Sequence, residues 1–273
     1  MFSVALTGPI AAGKSAASAK LAQLGAHIID YDHLARELTA AGSPLVYEIG
    51  RHFPAVVSNG ILDRGRLATL VFGDDAALAD LNAITHPAIR KAAEAEEKRI
   101  VRTDEQAIVI HDIPLLIETG QAYSYPYVIV VTAGEDVRLR RLAEHRSMPR
   151  AEALARMEAQ AGDIERAEAA DYLIVNDRTL SRLEAEVEEA FHRVRTMARM
   201  LRGASLFNPV RTSVESAQRT ARKLEAAGQV VTSVGSRIIV PEFNGPALIR
   251  AGCIAIRRGW FRADPWAAVE ISR

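Results

Sequence analysis

The sequence predicts an α/β protein built on a doubly wound parallel sheet, and two observations carry the prediction. Apolar runs of strand length at residues 2–6, 26–29, 107–110, 127–131 and 172–175 alternate with segments of helical periodicity. Parallel strands need crossover helices, so short Val/Ile-rich runs separated by amphipathic helices read as a sheet covered on both faces. The second observation is local. The first run breaks into Thr7-Gly8-Pro9-Ile10-Ala11-Ala12-Gly13-Lys14-Ser15 and then into an Ala-rich helical stretch. The spacing G-x-x-x-x-G-K-S between a strand and a helix is a phosphate-binding loop, which puts the sheet in the P-loop NTPase class.

Taken in chain order, each element has its own warrant. In the loop, Gly8 and Gly13 let the backbone fold tightly around an anion. Lys14 can reach the β- and γ-phosphates of ATP, Ser15 can ligate Mg²⁺, and the N-terminus of the next helix adds a favourable dipole. The expected nucleotide-binding set is therefore Gly8, Ala11, Ala12, Gly13, Lys14, Ser15 and Ala16. After the second run, residues 32–102 show helical periodicity and no convincing strand, which predicts an inserted helical subdomain where an acceptor would be clasped. Gly42-Ser43-Pro44, Asn59-Gly60 and His86-Pro87 read as turns or helix starts, with Pro87 in a first turn. The third run leads to Asp112, whose carboxylate either helps hold Mg²⁺ or faces solvent before a helix near Pro114. His111 reads as structural. Residues 135–167, rich in arginine and interrupted by Ser147-Met148-Pro149, read as a helical lid, and 179–201 as a long amphipathic helix on the sheet. Beyond it, 203–209 reads as a linker and 214–227 as a helix. Residues 230–234 and 237–240 read as a hairpin around Gly235-Ser236.

Length and composition bound the rest. At 273 residues the chain exceeds one compact domain, so a nucleotide domain over 1–202 and a small α+β extension over 203–273 are expected. Lys plus Arg and Asp plus Glu number 34 each, so no global field favours nucleic acid or an anionic membrane. The single cysteine, Cys253, excludes an intramolecular disulfide framework and a multi-cysteine zinc site. With no visible signal peptide and no uncharged run of membrane length, a soluble cytoplasmic protein is the expectation. Trp260 and Trp266 lie in the extension and form no base-stacking array with a basic stripe.

A phosphate loop alone identifies a nucleotide-binding enzyme or switch, and the acceptor side narrows it. Asp30-Tyr31-Asp32-His33-Leu34-Ala35-Arg36-Glu37, Gly42-Ser43-Pro44, Leu62-Asp63-Arg64, Val71-Phe72 and Leu81-Asn82-Ala83-Ile84-Thr85-His86-Pro87 follow in order. Pro114-Leu115-Leu116-Ile117-Glu118, Gln160, Ala170-Asp171 and Asn176 continue the series. Over roughly residues 1–200 the chain resembles the dephospho-coenzyme A kinases. The resemblance implies transfer of the ATP γ-phosphoryl group to the ribose 3′-hydroxyl of dephospho-coenzyme A. It also implies a catalytic carboxylate at Asp32, supported by Asp30, with Arg141 in the lid helix. A sugar hydroxyl is a poor nucleophile and benefits from a carboxylate that accepts its proton, but an Asp at that position can also simply cap a helix starting at His33.

Lid arginines can stabilise the migrating group, and Arg141, Arg146 and Arg150 are the candidates. Arg138 and Arg140 read as solvated helix-face charges. His86, Leu115 and Glu118 match the family near the acceptor, although the leucines of 115 and 116 also read as core and His86 as a turn residue. The chain departs from the family at Pro9, Ala11 and Ala16, at Phe53-Pro54, and at His145, where a second lid arginine usually stands and Arg146 comes next. Two other readings keep the same loop: a kinase for another nucleoside or small alcohol, and a nucleotide-dependent binding module.

Overall fold

The structure is a computed structural model that describes residues 1–71, 73–202, 214–234, 236–242, 244–256, 259–262 and 269–272. Phe72, the 203–209 linker, Gly235, Trp266 and the side chain of Trp260 lie outside the described residues. The chain divides into two units, Met1–Ile28 with Gln106–Arg273, and Ile29–Glu105.

In chain order the elements begin with β1 (Phe2–Thr7), α1 (Lys14–Gln23), β2 (His27–Asp30), α2 (Tyr31–Leu38) and α3 (Pro44–His52). Next come β3 (Val57–Ser58), β4 (Ile61–Leu62), α4 (Arg64–Val71), α5 (Asp75–Thr103) and β5 (Ile108–Asp112). Then follow β6 (Tyr127–Thr132), α6 (Glu135–Arg146), α7 (Arg150–Glu158), α8 (Asp163–Ala169), β7 (Tyr172–Val175) and α9 (Leu180–Leu201). The extension holds α10 (Val214–Ala226), β8 (Thr232–Val234), β9 (Arg237–Ile239), α11 (Gly245–Arg250), β10 (Cys253–Ile256), β11 (Gly259–Arg262) and β12 (Glu270–Ser272).

The expected parallel sheet is present, with strand order β2-β5-β1-β6-β7. β1 pairs in parallel with β5 on one side and β6 on the other, and β6 pairs in parallel with β7. Its central strands are mostly apolar because both faces are covered, with Asp112 at the carboxyl end of β5 as the charged exception. Val4, Leu6, Ile110, Ile129 and Val131 pack with Ala17 and Leu21 of α1 and with Leu183, Val187, Phe191 and Val194 of α9 in one core cluster. Helix α9 begins as expected, with the Thr179 hydroxyl accepting the Arg182 N–H. No helix starts near Pro114. Residues 114–120 form consecutive turns that end at Gly120 with φ 67°.

The unit Ile29–Glu105 is mostly helical, and its core is Leu45, Ile49, Phe53, Val56 and Leu67. Two expectations fail there. The segment contains strands after all: β3 and β4 form a hairpin across Asn59 (φ 50°) and Gly60 (φ 73°), the left-handed pair that a tight two-residue hairpin needs. Nor does His86-Pro87 start a helix. Pro87 lies inside the 29-residue α5, which Asp74 caps by accepting the Ala77 N–H. An interior proline costs about 3 kcal/mol, which here is outweighed by packing of α5 against α2, α3 and α4.

In the extension, β8 and β9 form the expected antiparallel hairpin within a second sheet of order β10-β11-β12-β9-β8. It has its own core, including Ala217, Leu224, Ile238, Leu248 and Cys253. Among the described residues no helix is long and apolar enough to cross a membrane.

Candidate active site

The turn between β1 and α1 is built so that two of its residues have to be glycine. A Cβ on Gly8 would overlap the Val131 carbonyl oxygen of the neighbouring strand. Gly13 has φ 101°, and a Cβ there would overlap the Asn176 side-chain amide. Gly13 is also the N-cap of α1, with no side chain capping the helix and no acidic residue in its first turn. The first-turn N–H groups of α1 therefore point from an uncapped, positive helix end, the arrangement that attracts phosphate. Ser15 and Ala16 are exposed in that turn, and Ala12 is buried beneath it.

Lys14 and Asp112 meet. Lys14 Nζ is ion-paired with Asp112 Oδ1 at the carboxyl ends of β1 and β5. Asp112 is 4% exposed, so the solvent-facing alternative is wrong for it: the carboxylate is held in by the ammonium. His111 beside it is buried with its ring 5.1 Å from that of Tyr125.

Three further side chains hold the loop's backbone. Arg141 donates to the Ala11 carbonyl at 3.2 Å, the Ala12 carbonyl at 3.4 Å and the Asn176 carbonyl at 2.9 Å. Asn176 Nδ2 donates to the Ala12 carbonyl at 2.8 Å, and Gln160 Oε1 accepts the Ile10 N–H at 2.9 Å. Asn176 and Gln160 were legible only as members of the family pattern, because an isolated Asn or Gln carries no signal of which backbone group it will meet. Ala11 itself sits at φ 62°, a left-handed conformation that a family glycine would adopt without strain. Its side chain, with Ile10, packs on the lid cluster of Leu139, Leu142, Ala153 and Met157.

The remaining lid residues divide. Arg140, Arg146 and Arg150 are exposed. Arg138 is not the solvated charge expected of it. It is 5% exposed, and burial, reinforced by the neighbouring Arg166, pushes its pKa below the usual guanidinium value. Its position on the inward side of α6 beside Leu139 and Leu142 decides this over its residue type. Leu115 is 48% exposed, contrary to a core role, whereas Leu116 is fully buried, because the turn at 114–120 aims adjacent side chains oppositely. Glu118 accepts the Ala161 N–H at 3.0 Å.

Asp32 and His86 belong to the other unit. Helix α2 starts at Tyr31, and its cap is Asp30, whose Oδ1 accepts the His33 N–H at 3.0 Å. The capping alternative for Asp32 is therefore corrected: Asp30 already fills that place. Asp32 lies exposed in the first turn, with no hydrogen-bond partner among the described residues. His86 is half-buried, and burial, with Arg90 nearby, lowers its pKa. In the same unit a largely apolar cavity of about 360 Å³ is lined by Leu45, Ile49, Leu62 and Leu67, with Arg64 donating to Thr39 Oγ1 at 2.6 Å.

The donor set fits Mg²⁺ with a nucleotide. A hydroxyl at Ser15 and a carboxylate at Asp112 are hard oxygen donors, and Mg²⁺ in phosphate sites takes only one or two protein ligands. Among the described residues no cluster of three or more His, Cys, Asp or Glu forms an all-protein metal cage.

Comparison with known proteins agrees with this geometry. The family model "Dephospho-CoA kinase" matches residues 2–182. A dephospho-CoA kinase of Leifsonia xyli subsp. xyli is 41% identical over 202 residues, covering 73% of this chain and 98% of that relative. One from Frankia casuarinae is 44% identical over 193 residues, covering 70% of this chain and 82% of its own length. Among solved structures, TT1252 from Thermus thermophilus superposes with a TM-score of 0.62 at 33% identity, over 70% of this chain and 96% of its own. With the phosphate loop intact and the match spanning the whole nucleotide-binding sheet, this chain belongs to the dephospho-CoA kinase family.

Proposed function

We propose that the chain transfers the γ-phosphoryl group of ATP to the ribose 3′-hydroxyl of dephospho-coenzyme A, giving coenzyme A and ADP. The observation that supports this most is an uncapped α1 N-terminus behind a loop with two obligatory glycines, in a chain of this family. The N–H groups of Gly13, Lys14 and Ser15, at the start of α1, cradle the phosphates, and Lys14 moves from Asp112 to share the β/γ oxygens. Ser15 and Asp112 would hold Mg²⁺, which neutralises charge on the β- and γ-phosphate oxygens. Asp32 accepts the proton as the acceptor oxygen bonds to phosphorus and the bond from phosphorus to the β–γ bridging oxygen breaks. Its support is a carboxylate relieved of capping by Asp30.

Arg141 acts first through the loop, whose carbonyls it holds. With Arg146 it supplies the positive charge that the migrating group requires. His86, Leu115 and Glu118 are the residues assigned to the acceptor on the family pattern. Of these, exposed Leu115 offers apolar contact, and Glu118 orders the start of the segment leading to α8.

The test mixes the purified protein with ATP, Mg²⁺ and dephospho-coenzyme A and weighs the product. One added phosphoryl group on the acceptor is expected, and ATP hydrolysis without acceptor phosphorylation would remove the proposal. In the same assay Asp32→Asn should lower kcat by about 10²- to 10⁴-fold with little change in ATP affinity, the usual range for a lost general base. A kcat equal to the parent's in a folded variant would reject the base assignment.

A further inference from the structure

The family match ends at residue 182, and helix α10 of the extension lies beyond it. α10 is nevertheless tied into the nucleotide-binding unit by its most deeply buried charge. Lys223 is 1% exposed, and its Nζ donates to the Tyr125 carbonyl and to Asp171 Oδ2, both at 2.7 Å. The same Asp171 oxygen accepts the Val128 N–H at 2.8 Å, at the corner where β6 and β7 begin. Removing one member of such a buried pair leaves a stranded charge, so the contact is specific as well as adhesive. Two neighbours on α10 grip the adjoining helix. Arg222 donates to the Tyr123 hydroxyl at 2.5 Å and to Glu168 Oε2 at 3.3 Å, and Arg219 reaches the Glu168 carbonyl at 3.5 Å and Asp171 Oδ1 at 3.6 Å.

Glu168 and Asp171 flank the end of α8, and α8 leads back to the phosphate loop. The helix has seven residues, too few to hold itself in place by propensity. Just before it, the Ala161 N–H is accepted by Glu118, and Gln160 accepts the Ile10 N–H of the loop. The loop's Ile10 and Ala11 also pack on the lid cluster. The short helix thus has the extension at its C-terminal end and, two residues before its N-cap Gly162, the Gln160 contact with the phosphate loop.

We propose that α10 is a positioning element for nucleotide binding: by fixing the Glu168 and Asp171 corner it fixes α8, and through α8 the presentation of Gln160 to the phosphate loop. Lys223, Arg222 and Arg219 are positioning residues, acting on the phosphate loop through α8. The inference rests on the loop being an ATP site and is independent of which acceptor is phosphorylated.

The test uses the full chain and titrates it calorimetrically with ATP and Mg²⁺, with no acceptor present. Arg222→Ala, on a half-exposed side chain, should fold and weaken ATP binding about fivefold, near the low end of ordinary coupling between sites. Lys223→Ala should weaken it further. If that variant does not fold, Arg222→Ala and Arg219→Ala decide the matter. Gln160→Ala should match the loss, and adding Arg222→Ala to it should cost nothing more, since both act through one contact. Where the acceptor reaction is present, kcat at saturating ATP should stay within about twofold while KM for ATP rises, a split that general destabilisation does not produce. ATP affinity unchanged in the α10 variants, or losses that multiply in the double variant, would overturn the inference. A parent chain that binds ATP yet leaves dephospho-coenzyme A untouched would sink the acceptor assignment alone.

Discussion

In the phosphate loop the backbone is the functional part. Gly8 is glycine because the Val131 carbonyl occupies the place of a side chain, and Gly13 because of both its φ and the Asn176 amide. In the unit of residues 29–105 the proposed functional groups are instead side chains carried on helices, Asp32 on α2 and His86 on α5, over a core with a half-open pocket of about 360 Å³. The loop is over-determined by close approach and by carbonyls pinned from Arg141 and Asn176. The helical unit is held by burial, with free volume left in it. A substitution in the loop should therefore abolish function while sparing stability, and one in the helical core should do the reverse.

Gly13→Ala gives the largest effect that contrast predicts. The left-handed conformation costs an L-residue about 1–2 kcal/mol. Displacing Asn176 misplaces the cradle, an error worth about 10²-fold. kcat/KM should therefore fall about a hundredfold, while the strain lowers the melting temperature by only a few degrees; retained activity would break the comparison. Ile49→Ala, in the fully buried core of the helical unit, should lower unfolding free energy by about 2–5 kcal/mol in a denaturant titration. ATP affinity in that variant should be unchanged, and a parallel loss of affinity would show that the two regions are not independent.

Ala11→Gly should be nearly silent. It relieves about 1–2 kcal/mol of left-handed strain. It also gives up a methyl packed on the lid cluster, worth about 0.8 kcal/mol, and frees the unfolded chain by about 0.4–1 kcal/mol. A net stability change within about 1 kcal/mol is expected, and a larger loss would mean that the methyl, not the φ angle, governs the position. The smallest effect concerns His86. Its pKa is lowered in the fold, chiefly by burial, so the unfolded chain takes up a proton first as pH falls through the ordinary value of 6.5. Stability is full above that pH and declines below it until the folded value is passed. His86→Gln should flatten that part of the melting-temperature profile, and an identical profile in parent and variant would remove the assignment.

The sheet was legible because each strand is a short apolar run bounded by turn residues, and a two-sided covered sheet leaves few other readings. The loop was legible because its chemistry fixes residue types at fixed spacing. What escaped was decided by tertiary packing. Asn59-Gly60 carries a strong hairpin signal, but strands of two residues leave no alternation to see. Pro87 reads as a start, and only the neighbours of α5 keep the helix running through it. Arg138 and Leu115 took the burial opposite to their residue types because each depends on which way one turn of chain faces. Asp32 and Asp30 are two residues apart, and nothing local in the sequence decides which of them caps α2.

The place of β1 in the sheet has a consequence for how the chain is born. Its two partners, β5 and β6, lie more than a hundred residues downstream, so β1 is synthesised well before either of its neighbours. At about 5–20 residues per second, that wait is on the order of ten seconds. During it an apolar strand stands without its sheet partners, the kind of transiently exposed edge that makes a nascent chain prone to aggregation.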